Sequence, residues 1–356
     1  MSTATARWRV DALARRCYLG LDAATLRDEV LRGLRKIVPI EAAFFATVDP
    51  ATMLYTSVLT EEPLFEARAL FLDNEFGRDD VNKFTELAAA PGHVSSLDRA
   101  TSGNRRDSPR YFEVMAPLGL GDELRAALVA AGSCWGVLCL HRLDAPAGFS
   151  SEEIALIRRL VPHLAEGLRR AIMAAAITSP HPAVRGPGVI VLDKDLSISS
   201  MNAEAEQWMA DLRDPAWMDP GAGSLPTAIH VTAARAASPD PGRDAAAPVT
   251  RVRTGSGDWL SIHASRLGGP TGQQTAVVVE SARPVQMASL YLDAHGLTPA
   301  QSRVAALVLQ GRSTRQIVNE LHISPYTVQE HLRAVFDKFG IGSRRELVAA
   351  LLSPSA

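Results

Sequence analysis

Thr327, Gln329, Glu330 and Arg333 lie close together near the end of a 356-residue chain, within the segment PYTVQEHLRAVFDKF. Val328, Leu332, Val335 and Phe336 in the same segment recur at helical spacing, so a helix here would bury that stripe. The polar set, with Asp337 further along, then takes the opposite face. The residue types suit hydrogen bonding to the edges of nucleic-acid bases: Gln can hold adenine through two bonds, Arg can hold guanine, and Glu can accept from cytosine. Taken alone, the same face is equally an ordinary solvated helix surface. What decides between the two is the company the segment keeps.

That company is specific. Thr298, Pro299 and Gln301 supply an N-cap, a first-turn proline and a capping-box partner ahead of AQSRVAALVLQ, and Gly311 stands where that helix must end. Ser313 and Gln316 repeat the device before TRQIVNEL. His322, Ile323 and Ser324 make a three-residue turn, Ser324 caps, Pro325 takes the first helical position, and the next helix runs to Gly340. Ser343 and Glu346 open a last helix, RRELVAALL. Four helices follow one another, the second and third forming a helix-turn-helix. Ile317, Leu321 and Ile323 should face Val328, Leu332, Val335 and Phe336, with Leu307 and Leu347 closing the core.

From Leu297 to Leu352 this pattern resembles the LuxR-type DNA-binding domain. The resemblance rests on Leu297-Thr298-Pro299, Gly311, Ile317-Val318, Leu321, Ile323-Ser324, Thr327-Val328, His331-Leu332, Lys338 and Ser343-Arg344. It implies that Gln329, Glu330 and Arg333 approach bases while Thr327, Lys338 and Arg344 lie near phosphates. The expected interface is therefore Ser324, Thr327, Gln329, Glu330, His331, Arg333, Lys338 and Arg344. Many members carry Lys where Gln329 stands, which bears on the operator sequence rather than the fold. The partners implied are double-stranded DNA, a second copy of the chain in a homodimer, and RNA polymerase.

Charge agrees with this division. From Leu297 onward seven basic residues stand against four acidic ones, so in a chain of net charge −2 the remainder is at −5. A basic end on an acidic body is the distribution expected when one end meets phosphate. The longest uncharged stretch, Ala126 to Leu140, is too short to span a bilayer, and MSTATARWRVDALARR has no apolar signal core. A cytoplasmic location is expected. Cys17, Cys134 and Cys139 neither pair evenly nor fall at a CxxC spacing, which suits a reducing compartment without a structural metal.

The remaining length calls for further domains. Asp22 can cap AATLRDEVLRGLRKIV, with Pro39 stopping it; AAFFATVD and MLYTSVLT read as strands about Asp49-Pro50-Ala51-Thr52. A variable cover spans 64 to 112. ELRAALVAA and CWGVLCLHR form a second hairpin, and a capping box at Ser150 and Glu153 opens a long helix that Pro162 should kink or split. This order, with GFSSEEIALIRRLVPHLAEGLRRAI, resembles a GAF domain over about 20 to 175, and implies a six-stranded antiparallel sheet with a small molecule between sheet and cover. Phe44, Tyr55, Phe71, Phe84, Tyr111 and Trp135 are the candidate ligand residues, with Phe76 and Phe112 nearby, though packing is the commoner role for each. Past the Pro- and Gly-rich ITSPHPAVRGPG come strands GVIVLD and LSISSM, a helix capped by Asn202, the loop AASPDPGRDAAAP, and strands TRVRT, WLSIHASRL and TAVVVES. That succession resembles a PAS domain.

The fold class expected is multidomain α+β: a GAF-like domain over 1–178 and a PAS-like domain over 186–285, each an antiparallel sheet with helices, then an all-α four-helix helix-turn-helix domain over 290–356. Helical segments around Ala12 to Leu19 and Ile154 to Ile172 are candidates for a dimer seam. No nucleophile motif, phosphate-binding loop or paired-carboxylate site is visible, so no enzyme is expected. The histidines are scattered without a metal-binding pair. Cys134 and Cys139, five apart on one strand, should point to opposite faces and pack. No metal or cofactor is expected. A regulator controlled by a small molecule or partner competes with a ligand-independent DNA-binding dimer and with a redox- or haem-linked sensor.

Overall fold

The computed structural model describes residues 3–145, 147–177, 185–212, 224–238, 248–269 and 272–352. Most of the expected linker (178–184) and most of the second loop (239–247) lie outside them. The chain divides into two compact units, one of Met1–Val129 with Cys134–Ser281, the other of Ala130–Ser133 with Ala282–Ala356.

The first unit opens with helices α1 (Thr3–Arg16) and α2 (Ala23–Leu34). The Asp22 carboxylate accepts from the amides of Ala24 and Thr25 at 2.9 and 3.0 Å, satisfying two of the donors a helix start leaves unpaired. A five-stranded sheet follows, β1 (Ala42–Val48), β2 (Tyr55–Thr60), β3 (Val94–Ser96), β4 (Leu120–Ala130) and β5 (Ser133–Leu143), in the order β2-β1-β5-β4-β3. The family resemblance implied six strands; five pair among the described residues, and β3 was not foreseen because three residues carry too little alternation to register. β1 is buried at all seven positions. It pairs on both edges and is covered on both faces, so its run of Ala, Phe, Thr and Val shows no polar alternation.

One face of this sheet meets the long helix α6 (Ser151–Ile177), whose capping box is made by Ser150 and Glu153 at 2.9 and 3.3 Å. A Cβ on Gly136 would stand 2.6 Å from Leu168 of α6 and 2.8 Å from the Ala46 carbonyl, so helix and sheet approach closely only over a glycine. The helix runs on through Pro162 rather than splitting there. The other face lies under α3 (Arg68–Gly77), α4 (Phe84–Ala89), α5 (Leu97–Ala100) and a π-helical turn at Tyr111–Met115. Cys134 and Cys139, expected on opposite faces, both join the hydrophobic cluster beneath this cover. Cys134 sits at the very start of β5, its Sγ turned to the Gly136 carbonyl at 3.2 Å, where strict alternation does not yet hold.

A second sheet comprises β6 (Gly188–Leu192), β7 (Ile198–Met201), β8 (Val249–Arg253), β9 (Trp259–Gly269) and β10 (Gly272–Ser281), in the order β7-β6-β10-β9-β8. Counted within each sheet, both follow the order second, first, fifth, fourth, third. The sequence shows no repeat to announce this. Helix α7 (Ala203–Asp211) starts at Asn202, whose Oδ1 accepts from Ala205 and Val189 while its Nδ2 donates to the Pro187 carbonyl. One side chain thus caps the helix and pins its start to β6.

The second unit holds α9 (Pro284–Ala294), α10 (Pro299–Leu309), α11 (Thr314–Leu321), α12 (Pro325–Phe339) and α13 (Arg344–Leu352). The four expected helices are present, preceded by α9. Leu292 of α9 packs in the same cluster as Val304, Ile317, Val328, Leu332, Val335 and Leu347, so α9 is part of this unit's core. The signals were there: Pro284 at the first turn, Gln286 returning to the Arg283 amide at 2.7 Å, and Gly296 at φ 67° past its end.

Within the first unit the two sheets are joined by a buried ion pair. Asp49, in the β1–β2 turn, accepts from the amide and the Nε of Arg251 on β8, both at 2.8 Å, and Asp49 and Arg251 are both buried. Beside it lies α8 (Thr227–Ala237), whose Val231 belongs to the first sheet's hydrophobic cluster while Ile229 and Ala233 belong to the second's. His230 on this helix is pushed down to about 4, by burial first and by the Arg68 guanidinium second. Removing one partner of a buried pair leaves an uncompensated charge and typically costs about 3–5 kcal/mol. Asp49→Ala should therefore lower the unfolding free energy of this unit, read from denaturant titration, by an amount of that order, and Asp49→Ala with Arg251→Met should recover most of it. A folded-state pKa below the unfolded one means that the unfolded chain takes up the proton first, so His230 makes stability fall as pH drops from 6.5 towards 4. Melting curves across that window should show the decline, and His230→Gln should flatten it.

Candidate nucleic-acid interface

The second unit is ordered by local hydrogen bonds at nearly every helix start. Thr298 accepts from the Gln301 amide at 3.3 Å while Gln301 returns to the Thr298 amide at 3.0 Å; Ser313 and Gln316 do the same at 3.4 and 2.8 Å. Ser324 Oγ accepts from the Thr327 amide at 3.0 Å and shares a 2.8 Å bond with the Thr327 hydroxyl. Between α11 and α12 the chain turns through His322 in the left-handed region, φ 53°. Gly311 and Gly340 take the same region at φ 78° and 65° after α10 and α12. These conformations suit glycine; at His322 a side chain accepts the strain to make the turn between the paired helices tight.

With Val328, Leu332 and Val335 buried, α12 presents the face expected of it. Gln329, Glu330 and Arg333 are exposed, as is Ser324 at the cap, and Thr327 and His331 are half-buried. Arg333 donates to Glu330 at 3.1 Å, with the Arg side chain 76% exposed. An exposed pair of this kind is worth little, so either member can exchange its partner for a base edge at small cost.

Lys338 and Arg344 are employed differently. Lys338 Nζ donates to the Gly296 carbonyl at 2.6 Å and to Gln301 at 2.9 Å, tying α12 to the α9–α10 turn. Arg344 donates to the Arg312 carbonyl at 3.1 Å and to Thr314 at 3.0 Å, fixing α13 to the start of α11. Both therefore hold the helices in register as well as adding positive charge. Sequence reasoning overlooked Tyr326, which is 74% exposed at the N-terminal turn of α12, the part of such a helix that reaches base edges. An aromatic directly after a first-turn proline, on no apolar stripe, was the available signal.

In the first unit the structure brings five of the six candidate ligand residues together. Phe44, Tyr55, Phe71, Phe84 and Tyr111 share one buried cluster; Phe44 stands 5.3 Å from Tyr55 and 4.8 Å from Phe71 between ring centres. Trp135 is fully buried but outside that cluster, and Phe112 is largely exposed. Among these rings lies a set of charged groups that the sequence reading did not assemble. Arg125 donates to Glu75 at 2.6 Å and lies 3.8 Å over the Phe84 ring. Arg110 donates to Glu123 at 2.8 Å and to Asn74 at 3.2 Å, and its amide donates to Asp80 at 2.8 Å. Burial works to raise the Glu123 pKa, but Arg110 and Arg125, helped by His141, outweigh it and hold it at about 2. Burial lowers His141 to about 4, with the two arginines adding to the effect and Glu123 opposing it. The clue was three charges, Asp122, Glu123 and Arg125, within the otherwise apolar strand LGDELRAALVA, the last two on one face.

Residues 295–351 match the family described as bacterial regulatory proteins, luxR family, and residues 18–168 match the GAF domain family. Over 52 residues, 15% of the chain, it is 46% identical to a protein of Mycobacterium bovis named as an HTH-type transcriptional regulator, of which it spans only 6%. Over 56 residues, 16% of the chain, it is 36% identical to the spore germination protein GerE of Bacillus subtilis and spans 76% of that protein. Among solved structures, the GAF domain of a phosphoenolpyruvate-protein phosphotransferase from Coxiella burnetii aligns with 49% of this chain and 99% of its own, at 16% identity and a TM-score of 0.35. With the capped helices, the helix-turn-helix and the match to GerE in agreement, the chain belongs to the luxR family of bacterial regulatory proteins.

Proposed function

We propose that the protein is a sequence-specific DNA-binding transcriptional regulator whose α12 enters the major groove. The observation that supports this most directly is the face of α12: Gln329, Glu330 and Arg333 exposed together, on a helix held by its own cap and buried stripe. Gln329, Glu330 and Arg333 read bases; Ser324, Thr327 and His331 flank them; Lys338 and Arg344 set the helix register and contribute charge towards phosphate. The basic excess of this end of the chain favours the encounter.

The rest of the chain is a sensor in this reading. A GAF-like domain over 1–178 takes a small-molecule effector beneath the cover of its sheet, and a PAS-like domain over 186–285 adjoins it, a reading favoured by the strand order the two sheets have in common. The protein acts as a homodimer on a palindromic operator, since one helix-turn-helix buries a small interface and two double it. RNA polymerase is the further partner.

Fluorescence anisotropy on a library of short duplexes at two salt concentrations tests the reading. The unmodified protein should select a sequence, and Arg333→Ala with Gln329→Ala should lose that selection, at about 1–3 kcal/mol for each bidentate contact removed, while keeping salt-dependent affinity. A protein with neither sequence preference nor salt-dependent binding would make the C-terminal helices a protein-interaction module instead.

A further inference from the structure

Beneath the cover of the first sheet, Glu123 on β4 and Cys139 and His141 on β5 bring one carboxylate oxygen, one thiol sulfur and one imidazole nitrogen within 4.8 Å of one another, all from buried residues. Glu123 Oε1 stands 3.8 Å from His141 Nε2, too far for a hydrogen bond. Among the described residues neither ring nitrogen of His141 has a hydrogen-bond partner, and neither has Glu123 Oε1 or the Nε of Arg125. Buried polar atoms are normally paired, and Glu123 Oε1 with His141 Nε2 and Arg125 Nε each 3.8 Å from it, none of them satisfied, call for an occupant.

We propose that Glu123, Cys139 and His141 hold a divalent transition-metal ion of borderline softness, zinc or ferrous iron in class, with one position left for a small anion. The donor set of one thiolate, one imidazole and one carboxylate is the mixture such ions take. Ligands of a tetrahedral ion at about 2.0–2.3 Å lie roughly 3.3–3.6 Å apart for this donor set, so side chains now within 4.8 Å of one another need to draw in by at most about 1.5 Å. On binding, the Cys139 S–H bond breaks, sulfur keeps the electron pair to form the metal–sulfur bond, and the proton leaves to bulk water. Nothing is oxidised.

Charge explains the fourth position. Glu75, Asp80 and Glu123 balance Lys83, Arg110 and Arg125 around the site. A divalent ion with one new thiolate adds a single positive charge, which an anion such as hydroxide cancels. Arg125 Nε, 3.8 Å from Glu123 Oε1, is placed to donate to that anion. Cys134 and Cys17 are not part of the triad. The inference does not depend on the DNA-binding reading, since the ion binds whether or not α12 reads a sequence.

The test uses the full chain without a purification tag, made in cells supplied with cobalt, which adopts zinc geometry and reports a thiolate ligand by charge-transfer absorption in the near ultraviolet. About one cobalt ion per chain and that absorption are expected, both lost in Cys139→Ser and kept in Cys17→Ser and Cys134→Ser. Azide should shift the spectrum through the fourth position, and an unmoved spectrum would overturn that part. Because Cys139→Ser can also fail by misfolding, X-ray absorption on the unmodified zinc form provides a second reading: one sulfur among nitrogen or oxygen neighbours is expected. An unmodified protein that retains no metal, a shell without sulfur, or absorption that survives in Cys139→Ser would each overturn the proposal. The arm without metal leaves DNA binding untouched, so the two readings fail separately.

Discussion

Charge buried beneath an apolar cover sets the terms for the first unit. Arg110, Arg125 and Glu123 have side chains wholly removed from water, and taking an ion out of water costs several kcal/mol even after relaxation. Partners recoup that cost only if they arrive in the right place, and here they come from distant parts of the chain: Glu75 and Asn74 from α3, Asp80 and the Val81 carbonyl from the segment after it, the Asn82 carbonyl from just before α4. The cover is thus not free to settle anywhere on the sheet. Its aromatic rings could pack in several registers at similar cost, since apolar contact is undirected, but the partners of Arg110 and Arg125 must each arrive at a fixed place.

The same constraint connects the cover to the second sheet. α3 supplies Glu75 and Asn74 to the network, and Arg68 at its start faces His230 of α8. α8 packs on β2 and α3 from one side and on β9 and β10 from the other, with Thr232 sharing a 2.7 Å bond with Thr250 of β8. One residue on from Thr250, Arg251 binds Asp49, which ends the strand carrying Phe44. A displacement of α3 therefore meets two rigid connections into the second sheet, one through α8 and one through β1. An effector shifts such an assembly only by binding its two arrangements with different affinity, and the group best able to create that difference is the network itself, whose pairing cannot be altered by degrees.

Legibility from sequence divides along the same line between local and distant interactions. The DNA-binding unit was readable because its decisive contacts span three or four residues: Thr298 with Gln301, Ser313 with Gln316, Ser324 with Thr327. α9 escaped although its signals were of the same kind, because its apolar residues run PVQMASLYLDA with little polar contrast to mark a face. Strands β1, β2 and β4 to β10 announced themselves through apolar or alternating runs and the turns between them. The polar core did not, since Arg125 and Glu75 are fifty positions apart and nothing in either neighbourhood names the other. Individual charges in an apolar strand were visible; what each of them meets was not.

The two kinds of order suit two kinds of work. In the proposed reading, a recognition helix must present Gln329, Glu330 and Arg333 at fixed spacing whatever happens elsewhere, and contacts closed within one helical turn give it that independence. A sensor must do the opposite and let one local event be felt at a distance, which requires long-range contacts whose loss is costly. Buried ion pairs meet this need better than apolar packing, because an apolar core relaxes around a small change whereas a charge deprived of its partner does not. The stability surrendered in burying Arg110, Arg125 and Glu123 is then the condition for a first unit whose cover and sheet cannot shift independently.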